Sequence, residues 1–248
     1  MSSTAIIIPT RLEAKRLPNK PLKIINKKEM ILHVYDLAVK SGVGEVLITT
    51  PDKDIFELIK DYGGKCFISK KIHQTGTDRV FEAFNDFYLR EPNYIINLQG
   101  DMPNLDPKDI VKINNYLKLN KCDICTLGSK MNNEKELLDE NIVKVTTKKS
   151  IKNLDFAEAS DFTRNMNSTE NNLIYHHIGI YGFTNQALIR YVNLKRSKLE
   201  IERNLEQMRA MENNLKIDVG YSQSQPLSVD TEKDLLEVKS IMEKSKNV

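Results

Sequence analysis

The sequence predicts an α/β fold in which a mostly parallel sheet carries helices on both of its faces. Short apolar runs of strand length alternate with longer stretches whose apolar residues recur at the spacing of one helix face. This alternation is typical of parallel sheets, because each crossover between parallel strands needs a long connection, usually a helix. The chain has 248 residues, of which 40% are hydrophobic, so it can form one large α/β domain.

The first half of the chain follows this alternation closely. An apolar strand at residues 5–8 leads into a loop that holds four cations and no glycine, namely Arg11, Lys15, Arg16 and Lys20. A helix over residues 29–41 ends at Gly42, a natural C-terminal cap. The pattern then predicts strands at 45–50, 65–69, 94–98 and 123–127 and helices at 52–62, 78–89 and 107–119.

The rhythm changes after about residue 132. Weak strand signals lie at 142–147 and 153–156, a loop rich in Asn, Ser and Thr lies at 165–172, and a clearer strand follows at 175–183. A helix at 199–212, a strand at 215–221 and a closing helix at 231–244 complete the pattern. We interpret residues 1–248 as one domain and residues from about 140 to 195 as an insertion into, or a flap on, its core.

Charge and composition exclude several classes of protein. The net charge of +3 is small, which argues against a general nucleic-acid or membrane partner. The sequence has no apolar stretch of membrane-spanning length and no segment with the features of a signal peptide. Three cysteines without a secretion signal indicate a reducing environment, and we therefore expect a cytoplasmic protein.

The candidate site lies where strands end. Ligands of open parallel sheets bind beyond the carboxyl ends of the strands. Because Arg11 and Asp101 each follow an apolar strand, both should point into the same crevice, and Asp230 follows a second short apolar step. Two carboxylates beside Arg16 and Lys20 would suit a Mg²⁺-nucleotide, since Mg²⁺ takes its remaining ligands from phosphate and water. The alternatives are a solvated basic loop and, for Asp230, a helix N-cap.

Other motifs carry less information. No Walker A motif and no dinucleotide-binding glycine motif occur. Cys122 and Cys125 form a C-x-x-C motif, but neither a second such motif nor a nearby histidine pair completes a zinc site, so we expect semi-buried thiols. His176 and His177 are consecutive on a predicted strand and therefore face opposite sides, which leaves one of them able to face the site.

A set of short segments, in this order, carries a resemblance to a known family: Ile7-Ile8-Pro9-Thr10-Arg11, Arg16-Leu17-Pro18-Asn19-Lys20-Pro21-Leu22, Thr75-Gly76-Thr77-Asp78-Arg79, Asn97-Leu98-Gln99-Gly100-Asp101, His177-Ile178-Gly179-Ile180-Tyr181-Gly182, Leu205-Glu206-Gln207-Met208-Arg209 and Val229-Asp230-Thr231. Together they resemble the 3-deoxy-manno-octulosonate cytidylyltransferase (CMP-Kdo synthetase) family of sugar nucleotidyltransferases. The ordered combination spans nearly the whole chain and is more specific than any single motif.

The resemblance implies a Rossmann-like nucleotidyltransferase fold and a Mg²⁺-dependent reaction. In that reaction the anomeric hydroxyl of 3-deoxy-D-manno-octulosonate (Kdo) attacks the α-phosphorus of CTP, giving CMP-Kdo for lipopolysaccharide biosynthesis and releasing pyrophosphate. It also implies a homodimer whose interface and sugar pocket use the inserted segment at 140–195.

The resemblance also implies roles for individual residues. Arg11, Lys20 and Asp101 are expected to be catalytic, with Arg11 and Lys20 holding the triphosphate and Asp101 and Asp230 holding Mg²⁺. The expected nucleotide contacts are Pro9, Thr10, Arg11, Arg16, Lys20, Gly76, Thr77, Asp78 and Gln99. The expected acid-sugar contacts are Arg16, Gln99, Arg164, His177, Glu206 and Gln207.

The sequence departs from the family pattern at several positions. Thr10 replaces the usual alanine, Met102 replaces the usual acidic residue after Asp101, and residues 162–165 only loosely echo the segment that carries the family's arginine at Arg164. The alternatives are therefore a cytidylyltransferase for a related acid sugar, such as 8-amino-Kdo or a nonulosonic acid, and a nucleotide-binding homologue without turnover. Both metal carboxylates are present, which disfavours the second alternative.

Overall fold

The computed structural model describes residues 3–244 except 90, 120–121, 132–133, 153–155 and 167–172. Its elements are, in chain order, β1 (Thr4–Pro9), a 3-10 helix (Lys20–Leu22), β2 (Ile24–Ile25), β3 (Lys28–Glu29), α1 (Met30–Lys40), β4 (Glu45–Thr50), α2 (Lys53–Asp61), β5 (Lys65–Ile68), α3 (Gly76–Phe87), β6 (Tyr94–Leu98), α4 (Pro107–Leu119), β7 (Ile124–Ser129), α5 (Glu134–Leu138), β8 (Lys144–Thr147), β9 (Phe156–Thr163), β10 (Ile174–Thr184), α6 (Asn185–Val192), α7 (Lys198–Arg203), α8 (Gln207–Glu212), β11 (Ile217–Tyr221) and α9 (Glu232–Lys244).

The central sheet is mixed, with nine strands in the order β5-β4-β1-β6-β10-β7-β11-β9-β8. The strands β5, β4, β1 and β6 run parallel, as predicted for the first half of the chain. In the second half, β10 lies antiparallel between β6 and β7, and β9 is antiparallel to β11. The described residues between β8 and β10 include no helix, so the connections there lack the crossover that parallel pairing requires.

The segment at 140–195 is partly built into this sheet. Its strand β10 pairs with β6 on one side and with β7 on the other, so it occupies the middle of the molecule. The strands β8 and β9 pair with each other beyond β11, and β8 also pairs with the first residues of β10. The β8–β9 hairpin therefore forms the end of the sheet, and its residues Val145 and Phe162 still belong to the core.

Helices cover both faces of the sheet, as the sequence predicted. On one face, α1, α2 and α4 bury apolar residues such as Val34, Ile59 and Ile113. On the other, α3 and α6 bury Val80 and Leu188. No helix among the described residues combines the length and apolar character needed to cross a membrane.

Most predicted elements lie where the sequence placed them, and two differ. The predicted helix at 199–212 is two helices, α7 and α8, because Asn204 adopts a left-handed conformation with a φ of 52° that ends α7. Of the predicted strand at 153–156, residues 153–155 lie outside the described residues, and β9 instead runs on to Thr163. Residues 167–172 of the predicted loop also lie outside them.

A buried ion pair joins α7 to α8. Arg209 donates from Nε to Glu200 Oε2 at 2.8 Å and from Nη2 to Glu200 Oε1 at 2.7 Å, and both side chains are at most 2% exposed. Arg209 Nη1 also lies 3.3 Å from Asp78 Oδ1 on α3. The pair therefore fixes the turn between α7 and α8 against the start of α3.

We expect Arg209→Met to lower the free energy of unfolding by about 3 kcal/mol, because it leaves Glu200 buried without its bidentate partner. Urea denaturation measures this change. The matched control is Lys198→Met, which removes a cation from an exposed ion pair with Glu202 and should change stability by less than about 0.5 kcal/mol. Equal effects of the two substitutions would contradict the structural role of Arg209.

Candidate active site

A cleft of about 380 Å³ opens at the carboxyl ends of β1 and β6. Its walls come from the loop after β1, the start of α3 and the turn after β6, with one residue each from the α7–α8 turn and the segment before α9. Glycine at position 100 lets the turn after β6 approach β1, because a Cβ there would lie 3.2 Å from the Pro9 carbonyl oxygen. The lining residues are Pro9, Thr10, Arg11, Glu13, Ala14, Lys15, Arg16, Leu17, Lys20, Pro21, His73, Gln74, Thr75, Gly76, Arg79, Gln99, Gly100, Asp101, Glu206 and Asp230.

Backbone hydrogen bonds fix the basic loop after β1. The Thr10 amide donates to the Thr49 carbonyl at 3.0 Å, and the Leu12 amide donates to Asp52 Oδ2 at 2.8 Å. Asn19 takes a left-handed conformation and starts the short 3-10 helix that carries Lys20. The loop is thus held at both ends, so its cationic side chains are presented to the cleft from an anchored backbone.

Lys20 lies between two carboxylates at the floor of the cleft. Its Nζ is 2.8 Å from Asp101 Oδ2 and 3.0 Å from Asp230 Oδ1. Burial opposes protonation of this amine, but the two carboxylates outweigh burial and raise the pKa of Lys20 above its ordinary value. Burial likewise opposes ionisation of Asp230, but Lys20 and Arg16 lower the pKa of that carboxyl. Both Lys20 and Asp230 are therefore charged at neutral pH.

Two contacts bring Asp230 to this position. The Val229 amide donates to the Asp101 carbonyl at 2.9 Å, which places the segment before α9 beside the turn after β6. The N-terminus of α9 is capped by Thr231, whose Oγ1 accepts from the Asp234 amide at 3.3 Å. The Asp230 carboxylate instead contacts Lys20 and, at 2.8 Å, Arg16 Nη2. The alternative in which Asp230 serves as the helix cap is therefore wrong.

The donor set at this point fits a divalent cation completed by phosphate and water. One oxygen from Asp101 and one from Asp230 converge on the single cationic atom Lys20 Nζ. Mg²⁺ needs only one or two protein carboxylates when a nucleotide supplies the other ligands. No group of three or more His, Cys, Asp or Glu side chains that could hold a metal by themselves occurs in the part of the chain that the structure describes.

Glu206 occupies the N-terminus of α3. It accepts from the Gly76 amide at 3.0 Å, from the Thr77 amide at 3.2 Å and from Thr77 Oγ1 at 2.7 Å. The left-handed turn at Asn204 brings Glu206 to this place, which a continuous helix at 199–212 would not do. Asp78 lies on the first turn of α3 and contacts Arg209.

Five of the six predicted acid-sugar residues are divided between three places. Gln99 and Glu206 line the cleft, together with Arg16. Gln207 lines a small adjoining cavity with Thr77, Tyr181 and Glu206. Arg164 donates from Nη1 to the carbonyls of Glu140 and Asn141, and the Asn141 side chain in turn accepts from Arg16 Nη1 at 3.0 Å.

His177 lies behind the adjoining cavity. Its ring centroid is 5.4 Å from that of Tyr181, and its Nε2 is 2.9 Å from Thr126 Oγ1. Thr126 donates its single proton to a backbone carbonyl, 2.7 Å away at Ile180, so His177 Nε2 must be the donor in the other contact. Burial lowers the pKa of His177 to about 3, which keeps the ring neutral.

The residue roles assigned from the sequence omitted Arg79, which lines the cleft beside Gly76. Arg79 is 7% exposed, and its Nε has no hydrogen-bond partner within the described residues. Burial, followed by the neighbouring Arg11, lowers the pKa of Arg79. A buried cation beside a second cation favours an anionic ligand. The helical spacing of Gly76 and Arg79 was the signal that could have identified it.

Comparisons with known proteins identify relatives of this chain. A family model described as cytidylyltransferase matches residues 5–217. A relative from Bartonella tribocorum, named 3-deoxy-manno-octulosonate cytidylyltransferase, is 38% identical over 96% of this chain and 97% of its own length. A relative of the same name from Bartonella henselae is 39% identical over the same shares of the two chains.

A solved structure gives the same result in three dimensions. It is described as CMP:2-keto-3-deoxy-manno-octonic acid synthetase complexed with CTP, and it superposes with a TM-score of 0.87. Its sequence is 30% identical, and the match covers 98% of this chain and 100% of that one. The chain therefore belongs to the cytidylyltransferase family, within the group of 3-deoxy-manno-octulosonate cytidylyltransferases.

Proposed function

We propose that the protein transfers the CMP moiety of CTP to the anomeric hydroxyl of Kdo, giving CMP-Kdo and pyrophosphate for lipopolysaccharide biosynthesis. The observation that carries this proposal is the cationic cleft at the ends of β1 and β6, where Lys20, Asp101 and Asp230 converge. The relatives named above act, by their names, on this acid sugar, and the solved neighbour binds CTP.

The basic loop supplies the charge that the reaction needs. Transfer of a nucleotidyl group depends on positioning and charge neutralisation rather than on covalent catalysis. Arg11, Arg16 and Lys20 contact the triphosphate, and the buried Arg79 adds a fourth cation to the same wall. Their positive charge stabilises the negative charge that develops on the leaving pyrophosphate. Pro9, Thr10 and Gly76 form the part of the wall that receives the nucleoside.

Asp101 and Asp230 would hold Mg²⁺. When bound, the ion neutralises phosphate charge and lowers the pKa of the attacking hydroxyl. The protein's own contribution is to hold Asp230 ionised, because the cations around that carboxyl lower its pKa. Lys20 would exchange its two carboxylate partners, Asp101 and Asp230, for phosphate oxygens when the nucleotide binds.

The acid sugar binds next to the phosphates, between Gln99, Glu206 and the adjoining cavity with Gln207 and Tyr181. The carboxylate of Kdo requires a cation. The two candidates are Arg16, which lies at the rim between the phosphates and the sugar, and Arg164, which is linked to Arg16 because both side chains donate to Asn141. Neutral His177 packs against Tyr181 and supports this wall from behind. Thr77 and Asp78 lie on the first turn of α3, where Thr77 contacts Glu206 and Asp78 contacts Arg209, so they contribute by holding these side chains in place.

A panel of acid sugars tests the proposal. The purified protein is incubated with CTP and Mg²⁺ and with Kdo, 8-amino-Kdo or N-acetylneuraminic acid, and mass spectrometry identifies the CMP-sugar. We expect CMP-Kdo. A product from only one of the other sugars would keep the mechanism and change the substrate. CTP binding without any product would support the alternative of a non-catalytic homologue.

The proposal includes a cytoplasmic homodimer. The β8–β9 hairpin lies at the end of the sheet opposite the parallel strands of the first half and offers the surface for a second copy. Light scattering of the purified protein measures the mass, for which we expect twice that of one chain. A monomer with full turnover would contradict this part of the proposal.

Cys122 and Cys125 take no part in the proposed reaction. Both are free and buried, and Cys125 lies in the core with its Sγ 4.0 Å from the Ile113 carbonyl. We expect Cys122→Ala with Cys125→Ala to change turnover by less than twofold, while lowering the free energy of unfolding by about 1–2 kcal/mol through lost packing. A large loss of turnover in a folded protein would instead support a redox or zinc role.

A further inference from the structure

A chain of side-chain hydrogen bonds connects the cleft to the turn between α7 and α8. Gln99 Nε2 donates to Asn97 Oδ1 at 3.1 Å, and Asn97 Nδ2 donates to Thr77 Oγ1 at 3.3 Å. Thr77 Oγ1 donates to Glu206 Oε2 at 2.7 Å. Asn97 is fully buried on β6, between its register partners Ile7 and Tyr181. The reaction as described above gives this asparagine no role.

The carboxylate of Glu206, at the end of this chain away from the cleft, fixes which group donates and which accepts in each hydrogen bond. The Glu206 carboxylate can only accept, so the single proton of the Thr77 hydroxyl points to it. Thr77 Oγ1 is then left as an acceptor, and Asn97 must turn its NH₂ group toward it. The Asn97 carbonyl therefore faces Gln99, and Gln99 must donate its own NH₂ group inward.

The direction of this chain determines which atom Gln99 presents to the cleft. With its NH₂ group turned inward, Gln99 presents its Oε1 toward Gly76, where a Cβ would lie 3.8 Å from that oxygen. We propose that Asn97 and Thr77 are positioning residues that hold the Gln99 amide with its carbonyl oxygen toward the ligand, so that the ligand group bound there must be a hydrogen-bond donor. A hydroxyl of the acid sugar or an amino or hydroxyl group of the nucleotide has this chemistry.

This inference deepens the proposed function and rests on it for the identity of the ligand, but the relay itself is a property of the free protein. It can therefore be tested by a double-mutant cycle without any substrate. Gln99→Glu removes the donor that faces Asn97 Oδ1. With Thr77 in place, Asn97 can turn its NH₂ group to the introduced carboxylate only if Thr77 releases Glu206. In a Thr77→Val background, Asn97 is free to turn.

We expect Gln99→Glu to raise the unfolding equilibrium constant about tenfold in the wild-type background and less than about threefold in the Thr77→Val background. Thr77→Ser keeps the hydroxyl, so Gln99→Glu should again have the tenfold effect there. Urea denaturation of the ligand-free proteins measures all these values. Equal effects of Gln99→Glu in the wild-type and Thr77→Val backgrounds would overturn the relay.

The KM values for Kdo and CTP identify the ligand that contacts Gln99. In Thr77→Val the Gln99 amide is no longer held in one orientation. The KM for either Kdo or CTP should therefore rise by about two- to fivefold, because only part of the protein molecules then present the Gln99 carbonyl oxygen to the ligand. The value of kcat should change less, and Thr77→Ser should restore the KM. A raised KM for Kdo assigns the donor to the sugar, and a raised KM for CTP assigns it to the nucleotide. An unchanged KM for both would overturn the proposed orientation of Gln99.

The two proposals fail in different ways. If the wild-type protein shows no Kdo-dependent turnover but the unfolding cycle shows coupling, the proposed function is wrong and the relay stands. If turnover is normal and the cycle is additive, the relay is wrong. Should Gln99→Glu fail to fold, exchange of the Asn97 side-chain amide protons by NMR replaces the cycle. Slow exchange in the wild type that is lost in Thr77→Val is then the expected result, and fast exchange in both would overturn the relay.

Discussion

Replacement of Asp101 with asparagine should remove almost all turnover while leaving CTP binding nearly unchanged. The asparagine keeps the size of the side chain but loses the charge that would hold Mg²⁺ beside Asp230. We expect kcat to fall by about a thousandfold, the scale typical of losing one charge-stabilising group at a reacting centre. Pyrophosphate release measures kcat, and isothermal titration measures the affinity for CTP.

The control for this substitution is Asp106→Asn. Asp106 lies before α4 and accepts from the Lys108 amide through Oδ1, a contact that asparagine retains. Its turnover should equal that of the wild type. Intact turnover in Asp101→Asn would show that the metal assignment is wrong, whatever the control gives.

Lys20→Met should give the second large effect, and it has two parts. Turnover should fall by about a thousandfold, because the triphosphate loses a half-buried cation at the transition state. The free protein should at the same time bind divalent cations about tenfold more tightly, because the ammonium that sits between Asp101 and Asp230 no longer competes for their oxygens. Titration with Mn²⁺ in the absence of nucleotide, followed by electron paramagnetic resonance, measures the second part.

Lys23→Met serves as the matched control, because Lys23 lies near Lys20 in sequence but does not line the cleft. Its turnover and Mn²⁺ affinity should match those of the wild type. Unchanged Mn²⁺ affinity in Lys20→Met would contradict the view that this ammonium competes with a divalent cation for the oxygens of Asp101 and Asp230.

Local signals predicted the first half of the fold well. Helix α4 begins at Pro107, where proline is favoured at the first helical position, and β4 and β6 have the predicted bounds. The second half was harder, because β8, β9 and β10 pair antiparallel through contacts that no local pattern encodes. The break at Asn204 was missed because apolar residues continue at helical spacing through it, whereas its left-handed conformation is decided by packing.

The positions of Arg11 and Asp101 were predictable because each residue follows a strand, whereas the contacts between segments distant in sequence were not. Arg11 and Asp101 lie in one cleft because their strands are parallel neighbours in the sheet. Asp230 also lies there, through a backbone contact between Val229 and Asp101. The direction of the hydrogen bonds through Asn97 depends on three elements that are distant in sequence, so only the folded structure reveals it.

The most direct test of the account is pyrophosphate release from the purified protein with Mg²⁺ and CTP, measured with and without Kdo. We expect release that requires Kdo, that is absent when ATP replaces CTP, and that is lost in Asp101→Asn. An absence of Kdo-dependent release from a folded protein that binds CTP would contradict the proposed transfer of CMP to Kdo.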